Sequence, residues 1–203
     1  MRLRPSLLVA SAALLAAVAG RASAAAVVGQ PAPAFTATDS NGKGQSLAEY
    51  KGKFVVLEWN NNECPFVGKH YGSGNMQSLQ KTYTGKGVVW LTINSSAPGK
   101  EGNVDAAQAN AIVKQRGAAP SAYVLDPKGD IGRAYGAKTT PHMFVIDPQG
   151  RIVYAGGIDD KPSTDLADVK TARNYVKDAL DEAMAGKPVS VSVSQPYGCA
   201  VKY

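Results

Sequence analysis

The sequence has 203 residues, of which 22 are basic, 16 are acidic and two are cysteines. With 44% hydrophobic and 19% charged residues, it has the composition of a folded chain, not of a disordered or fibrous one, and the length suggests one domain, two at most. Two cysteines exclude a disulfide-rich scaffold and a four-cysteine zinc site.

The N-terminal residues 1–24 have the pattern of a secretory signal peptide. Two arginines precede an apolar run over 7–19, and Ala-Ser-Ala at 22–24 suits a signal peptidase. The run is short for a bilayer span, so a retained anchor is the weaker alternative. Cleavage lowers the net charge of +6 by three, which leaves no basic patch for nucleic acid. We expect an exported domain, residues 25–203, periplasmic or secreted, without a membrane span and in an oxidising compartment.

After the leader, the sequence alternates between patterns typical of strands and of helices. The apolar run 54–59 is typical of a buried strand, and Pro65 suits the first turn of a helix that glycines at 72–74 should kink or break. Asn103 is the predicted N-cap of another helix, which Gly117 ends. In chain order, the predicted elements of this half are strands at 35–38, 45–47 and 54–59, a helix at 65–83, a strand at 88–93 and a helix at 104–116.

The second half contains one turn pattern twice, at 126–129 and at 147–150. The segments between them differ, so we interpret the similarity as turn chemistry used twice and not as a repeat. A C-terminal tail, 187–203, follows the last helix. The predicted elements are strands at 122–125, 142–146 and 151–155, an amphipathic helix at 165–185 and a short edge strand at 189–193. This alternation predicts an α/β fold with a central mixed β-sheet, helices on both faces and an N-terminal β-hairpin extension.

The segment 57–67, LEWNNNECPFV, carries the candidate chemistry. It places Cys64 after a buried strand and at the start of a helix, where backbone N–H groups and the positive end of the helix dipole favour a thiolate. The thiolate is the nucleophilic form of cysteine. Glu63 opposes this effect by adding negative charge beside the sulfur. The alternative is a buried apolar cysteine, but we favour a reactive thiol at this location.

Together with other segments, this stretch resembles the thioredoxin-like superfamily, especially its redoxin branch, the thiol-specific antioxidant (peroxiredoxin-like) proteins. Residues 29–35, GQPAPAF, and 47–59, LAEYKGKFVVLEW, resemble the N-terminal half of that family, and 139–147, TTPHMFVID, resembles its cis-proline strand. The resemblance covers nearly all of the mature chain. It implies a thioredoxin-like fold, a protein disulfide or thiol or a peroxide as substrate, an external thiol reductant, and no cofactor.

Two departures from the family pattern bear on the activity. Val67 stands where the thioredoxin-type motif has its second cysteine, and Asn61 stands where peroxidatic members have threonine or serine. No arginine of a peroxide site is assignable from the sequence. Cys-Pro-Phe-Val, with Gly-Cys near the C-terminus, most resembles an exported peroxiredoxin-like subgroup. Because a disulfide substrate needs fewer oriented donors than a peroxide, we favour thiol–disulfide exchange over peroxidase activity.

Cys199, the second cysteine, lies in the C-terminal tail, far from Cys64 along the chain. If the tail folds back, Cys199 is either a resolving cysteine or half of a structural disulfide, and the latter would make the protein a non-catalytic binding module. An intermolecular disulfide and two independent thiols also remain open. Cys64, Cys199 and the histidines would suit copper or zinc by ligand type, but the paired cysteines of copper chaperones are missing, so we expect no metal.

Pro141 matches the cis-proline of the family, which implies that the backbone of Thr140 faces Cys64 and can pair with an extended substrate strand. The alternative is a trans-proline that opens an edge strand. His142, next to Pro141, is a candidate to contact the site and tune the thiolate. His70 lies six residues beyond Cys64, so on a regular helix it should point away from it.

The remaining candidates for substrate binding flank the cysteine. Pro65 follows it directly, and Trp59 and Phe66 either form an apolar collar around the site or belong to the core, which is the commoner place for aromatic residues at strand ends. The side-chain amide of Asn61 either hydrogen-bonds a peroxide or peptide, or stabilises a polar turn.

Overall fold

The computed structural model describes residues 26–203. The predicted signal peptide, residues 1–24, lies outside the described residues. No helix in the part that the structure describes is long and apolar enough to cross a membrane.

Seven strands form one mixed sheet, and two further strands form a separate pair. The strands are β1 (Thr36–Asp39), β2 (Gly44–Ser46), β3 (Val55–Trp59), β4 (Val89–Asn94), β5 (Ala122–Leu125), β6 (Thr139–Thr140), β7 (His142–Ile146), β8 (Ile152–Gly156) and β9 (Cys199–Ala200). The large sheet has the order β2-β1-β5-β4-β3-β7-β8, and β6 pairs with β9. Strands β3, β4 and β5 are parallel, and the other pairs are antiparallel. The mixed sheet and the N-terminal hairpin β1–β2 agree with the prediction.

Helices cover both faces of the sheet, as predicted. They are α1 (Pro65–Gly72), α2 (Asn75–Gly85), α3 (Ala106–Arg116), α4 (Asp130–Tyr135) and α5 (Tyr175–Met184), with 3-10 turns at Leu47–Tyr50 and Leu166–Lys170. Along β3 the side chains alternate between two cores. Val56 faces the core that α1, α2 and α5 share, whereas Val55 and Leu57 face the core that contains α4. Cys64 belongs to the first of these cores.

The structure confirms the predicted break near residue 73 but corrects the two other long helices. Helix α3 begins at Ala106, because Asp105 and not Asn103 accepts the N-cap hydrogen bond, as part of a capping box with Gln108. The predicted helix 165–185 is two elements, a 3-10 turn and α5. The side chain of Asn174 accepts a hydrogen bond from the Lys177 N–H at 2.9 Å and so starts α5 afresh.

Two shorter elements were also predicted wrongly. Helix α4 was missed because six residues are too few to show a helical period. The predicted edge strand at 189–193 is absent from the described fold, where Val193 alone forms an isolated bridge to Ala155.

A carboxyl group, that of Glu58, lies fully buried within β3. It accepts five hydrogen bonds. The donors are Asn60 Nδ2 at 2.9 Å, the Tyr71 hydroxyl at 2.8 Å, Trp90 Nε1 at 2.8 Å, Gln80 Nε2 at 3.1 Å and Thr92 Oγ1 at 3.2 Å. Burial raises the pKa of Glu58 above its ordinary value, and these hydrogen bonds oppose the rise only in part. Sequence reasoning missed this network, although a charged residue inside an apolar run is its signal.

Glu58 should make the folded protein less stable as the pH rises. Because its pKa is higher in the native than in the unfolded state, the native state binds the extra proton above about pH 4.3. The free energy of unfolding attributable to Glu58 therefore falls from that pH up to the native pKa, by about 1.4 kcal/mol per unit of difference. In urea unfolding between pH 4 and 8, the stability of wild type relative to Glu58→Gln should decrease with pH. A difference that does not vary with pH would contradict the raised pKa.

Candidate active site

Cys64 lies where the loop after β3 enters α1. It is the N-cap residue of that helix, and Pro65 is the first helical residue. Its side chain is only 1% exposed. As a thiol, the sulfur donates a hydrogen bond to the backbone oxygen of Thr140 at 3.1 Å. The helix-start location and the neighbouring segment before Pro141 are therefore both as the sequence predicted.

The segment before Pro141 is the second part of the site. The Thr140–Pro141 peptide bond is cis, as the resemblance predicted. The sequence analysis assigned the edge at Thr140 to an extended substrate strand. In the structure the chain itself occupies this edge, because β9 pairs with β6 and Cys199 lies opposite Thr140.

The C-terminal tail is docked along its length beyond β9. The Val201 N–H donates to the Lys138 carbonyl at 3.1 Å, the Lys202 carbonyl accepts from the Ala97 N–H at 2.7 Å, and the Tyr203 hydroxyl donates to the Ala137 carbonyl at 2.8 Å. These contacts hold the tail in place beyond the strand pair that carries Cys199.

Docking the tail requires a glycine at position 198. Gly198 has a φ of +131°, and a Cβ atom there would overlap the Thr140 carbonyl oxygen. The tail backbone therefore lies closer to the Thr140–Pro141 bond than it could if residue 198 had a Cβ atom.

The two cysteines are neighbours, and each affects the pKa of the other. Burial raises the pKa of Cys64, but hydrogen bonds from the Cys199 thiol, the Thr140 side chain and the Val67 and Cys199 backbone outweigh it, so the net shift is downward. Burial, and then the hydrogen bond and charge of Cys64, raise the pKa of Cys199 to about 12. Cys64 therefore has the lower pKa of the two and is the first to lose its proton, and Cys199 is the hydrogen-bond donor that favours this loss.

Two predicted site residues lie on the opposite face of the sheet from Cys64. Trp59 is fully buried in the other core, and its Nε1 donates to Ser95 Oγ at 3.1 Å. It therefore offers no surface to a substrate. His142 stacks on Phe144 with ring centroids 4.6 Å apart, and burial, followed by the charge of Lys138, lowers its pKa to about 4. It faces away from Cys64, because neighbouring residues of β7 alternate between the faces.

The loop before Cys64 is fixed by its own hydrogen bonds. Asn61 is 1% exposed, accepts from the Glu63 N–H at 2.8 Å and donates to Glu101 at 3.2 Å. Arg116 donates to the Asn62 carbonyl of this loop at 2.8 Å and stacks on Tyr71. The Asn61 amide is therefore engaged with the protein, as in the polar-turn alternative.

Sequence reasoning missed the contact between α1 and the tail. Phe66 packs edge-on against Tyr197 with ring centroids 5.9 Å apart, while Pro65 is exposed. His70 does point away from Cys64, but it meets the Tyr197 hydroxyl at 3.1 Å. The sequence hint of this contact was Tyr197, two residues before Cys199, but the periodicity of a helix cannot predict its contact with a residue so distant in the chain.

Gly198→Ala should release the tail from β6, because the new methyl group overlaps the Thr140 carbonyl. Alkylation of Cys64 by iodoacetamide, followed by mass spectrometry of its peptide in the reduced protein, should become about tenfold faster or more. Gly186→Ala is the matched control. Gly186 also has a positive φ, +70°, but nothing lies within 4 Å of a Cβ there, so this variant carries strain without the overlap. An unchanged Cys64 rate in Gly198→Ala would contradict the tight docking.

Among solved structures, the chain is similar to a hypothetical protein of Sinorhizobium meliloti 1021, with 26% identity, a TM-score of 0.74, and coverage of 89% of this chain and 96% of that one. An uncharacterized conserved protein of Geobacillus kaustophilus gives 25% identity and a TM-score of 0.73, covering 87% of this chain and 92% of that one.

A Chlorobium tepidum protein that carries the name thiol:disulfide interchange protein DsbE gives 26% identity and a TM-score of 0.51, with 64% of this chain and 85% of that one covered. A comparison with curated protein sequences finds no match. The AhpC/TSA family model matches residues 28–155, which is more than half of the chain. The chain therefore belongs to the AhpC/TSA family, and its fold is thioredoxin-like.

Proposed function

We propose that the protein is an exported thiol–disulfide oxidoreductase in which Cys64 is the nucleophile and Cys199 the resolving cysteine. The observation that carries the proposal is the pairing of β9 with β6, with Cys199 opposite Thr140 and Thr140 in contact with the Cys64 sulfur. Membership of the AhpC/TSA family and the similarity to the Chlorobium tepidum protein support thiol-based redox chemistry. The signal-peptide pattern of residues 1–24 supports the proposed export. We also propose that residues 25–203 form a single domain.

The reaction consists of two thiol–disulfide exchanges. The Cys64 thiolate attacks one sulfur of a substrate disulfide, which forms a mixed disulfide and releases the other sulfur as a thiolate that takes up a proton. The Cys199 thiol then loses its proton to solvent, and the resulting thiolate attacks the Cys64 sulfur. The Cys64–Cys199 disulfide forms, and the second substrate thiolate leaves and is protonated. The substrate is reduced by two electrons, and an external thiol reductant restores the protein.

The electrostatics of the pair favour this order of events. The lowered pKa of Cys64 makes it the first nucleophile. Once Cys64 is in a mixed disulfide, it no longer carries the charge that helps to raise the pKa of Cys199. Cys199 therefore becomes easier to deprotonate at the step in which it must attack.

Access to Cys64 requires the tail to move. With Cys64 only 1% exposed and β9 on the edge beside it, an extended substrate strand and the tail compete for the same backbone groups of Thr140. The substrate that suits this edge is an extended protein segment with a disulfide.

Substitution of the two cysteines should separate their roles. With oxidised glutathione as the model disulfide, the wild type should yield the Cys64–Cys199 disulfide, whereas Cys199→Ser should accumulate a glutathione adduct on Cys64. Cys64→Ser should lose at least about 100-fold in exchange rate, since the thiol of lowered pKa is gone and burial, the largest cause, still raises the pKa of Cys199. Mass spectrometry of non-reduced peptides distinguishes these products.

Two outcomes would favour a binding module with a structural disulfide instead. One is an exchange rate of Cys64→Ser equal to that of wild type. The other is alkylation of Cys64 only above the ordinary thiol pKa of about 8.5.

Peroxide should be a poor oxidant of Cys64. A peroxidase aims donors at both peroxide oxygens, but the Asn61 amide is held by Glu63 and Glu101, and Arg116 donates through Nη2 to the Asn62 carbonyl. The rate constant for hydrogen peroxide should stay within about tenfold of that of a free thiolate, as measured by stopped-flow mixing with the reduced protein. A much larger constant would identify the protein as a peroxiredoxin-like antioxidant.

A further inference from the structure

We propose that Tyr197 is a positioning residue, fastened to α1 by the buried cluster Lys69–Asp159–His70, that holds Cys199 against Cys64 for disulfide formation. The inference rests on the Cys64–Cys199 couple proposed above and deepens it by identifying what holds the second cysteine in place.

The cluster is built from charged and polar groups that are removed from water. Lys69 and His70 are consecutive on α1 and at most 1% exposed, and Asp159 is 3% exposed. Lys69 Nζ lies 3.5 Å from Asp159 Oδ2 and donates to the Lys161 carbonyl at 2.6 Å. His70 Nε2 lies 3.9 Å from the same carboxylate oxygen. Burying such groups is costly unless they are paired, so their arrangement is strongly constrained.

Tyr197 connects this cluster to the tail. Its hydroxyl donates to Asp159 Oδ1 and lies 3.1 Å from His70 Nε2. The His70 Nδ1 faces the amide of Asn75 at 2.9 Å. If the Asn75 NH₂ donates there, His70 Nε2–H donates to Tyr197, which in turn donates to Asp159. The tyrosine ring also packs against Phe66 and lies 5.5 Å from Lys69 Nζ.

The position of Tyr197 in the chain links the cluster to the redox pair. Only Gly198 separates it from Cys199, while Phe66 and Lys69 lie on the helix that Cys64 caps. The strand pair β6–β9 has only two residues on each side, and so short a pair is weak by itself. The anchor at Tyr197 therefore ties the tail to the same helix on which Cys64 is placed.

The test is the equilibrium between the Cys64–Cys199 disulfide and a glutathione redox buffer in the full-length exported protein. Tyr197→Phe keeps the ring and removes the hydroxyl. Because the dithiol can release its tail whereas the disulfide keeps the tail tethered, loss of this hydrogen bond to a charged group lowers the share of dithiol molecules with Cys199 beside Cys64, and it should lower the equilibrium constant for disulfide formation by about tenfold. Tyr83→Phe is the matched control. It removes a tyrosine–carboxylate hydrogen bond of the same kind, to Asp181 at 2.9 Å between α2 and α5, away from the tail. Its constant should equal that of wild type.

Results that differ from these expectations show which of the two proposals fails. If wild type forms no Cys64–Cys199 disulfide, the couple fails and this inference falls with it. If wild type forms the disulfide and the constant for Tyr197→Phe lies within twofold of it, only the positioning role is overturned. An equal decrease in Tyr197→Phe and Tyr83→Phe would also overturn it, because the effect would then reflect general stability.

Discussion

The structure of the site depends on one short backbone pairing, that of β9 with β6. It brings Cys199 to Cys64, buries the Cys64 sulfur and fills the edge beside the cis-proline. Burial alone would raise the pKa of Cys64 and make it inert. The same tail that buries the sulfur also supplies the Cys199 thiol and backbone groups that lower this pKa. One segment of the chain therefore both shields the Cys64 sulfur and lowers its pKa.

Two buried polar networks, one around Glu58 and one around Asp159, differ in whether they include the C-terminal tail. The network around Glu58 joins β3, β4, α1 and α2, which are close in the fold whatever the tail does. The network around Asp159 includes Tyr197 and is complete only when the tail is docked. The first fixes the frame that carries Cys64, and the second fixes the segment that carries Cys199.

The sequence predicted those parts of the site that local patterns determine. The run 54–59 followed by Cys64 and Pro65 shows a buried strand, a cysteine beyond its end and a helix start within a dozen residues, and the cis bond at Pro141 followed from the family resemblance. The docking of the tail was not predictable, because a two-residue strand pair has no period and depends on contacts distant in sequence. The placement of His70 shows the same limit: helical geometry correctly directed it away from Cys64, but could not show that Tyr197 would meet it there.

In the proposed couple, the long separation of Cys64 and Cys199 along the chain links redox chemistry to the opening of the fold. Two cysteines within one helical turn remain close even when a protein loosens, so their effective concentration changes little. Here that concentration exists only while the tail is docked, and undocking replaces it with the much lower value of a long flexible loop. Conditions that loosen the tail, such as heat or a competing substrate strand, therefore shift this couple toward the dithiol. The redox equilibrium of the proposed couple therefore varies with the free energy of a local unfolding step.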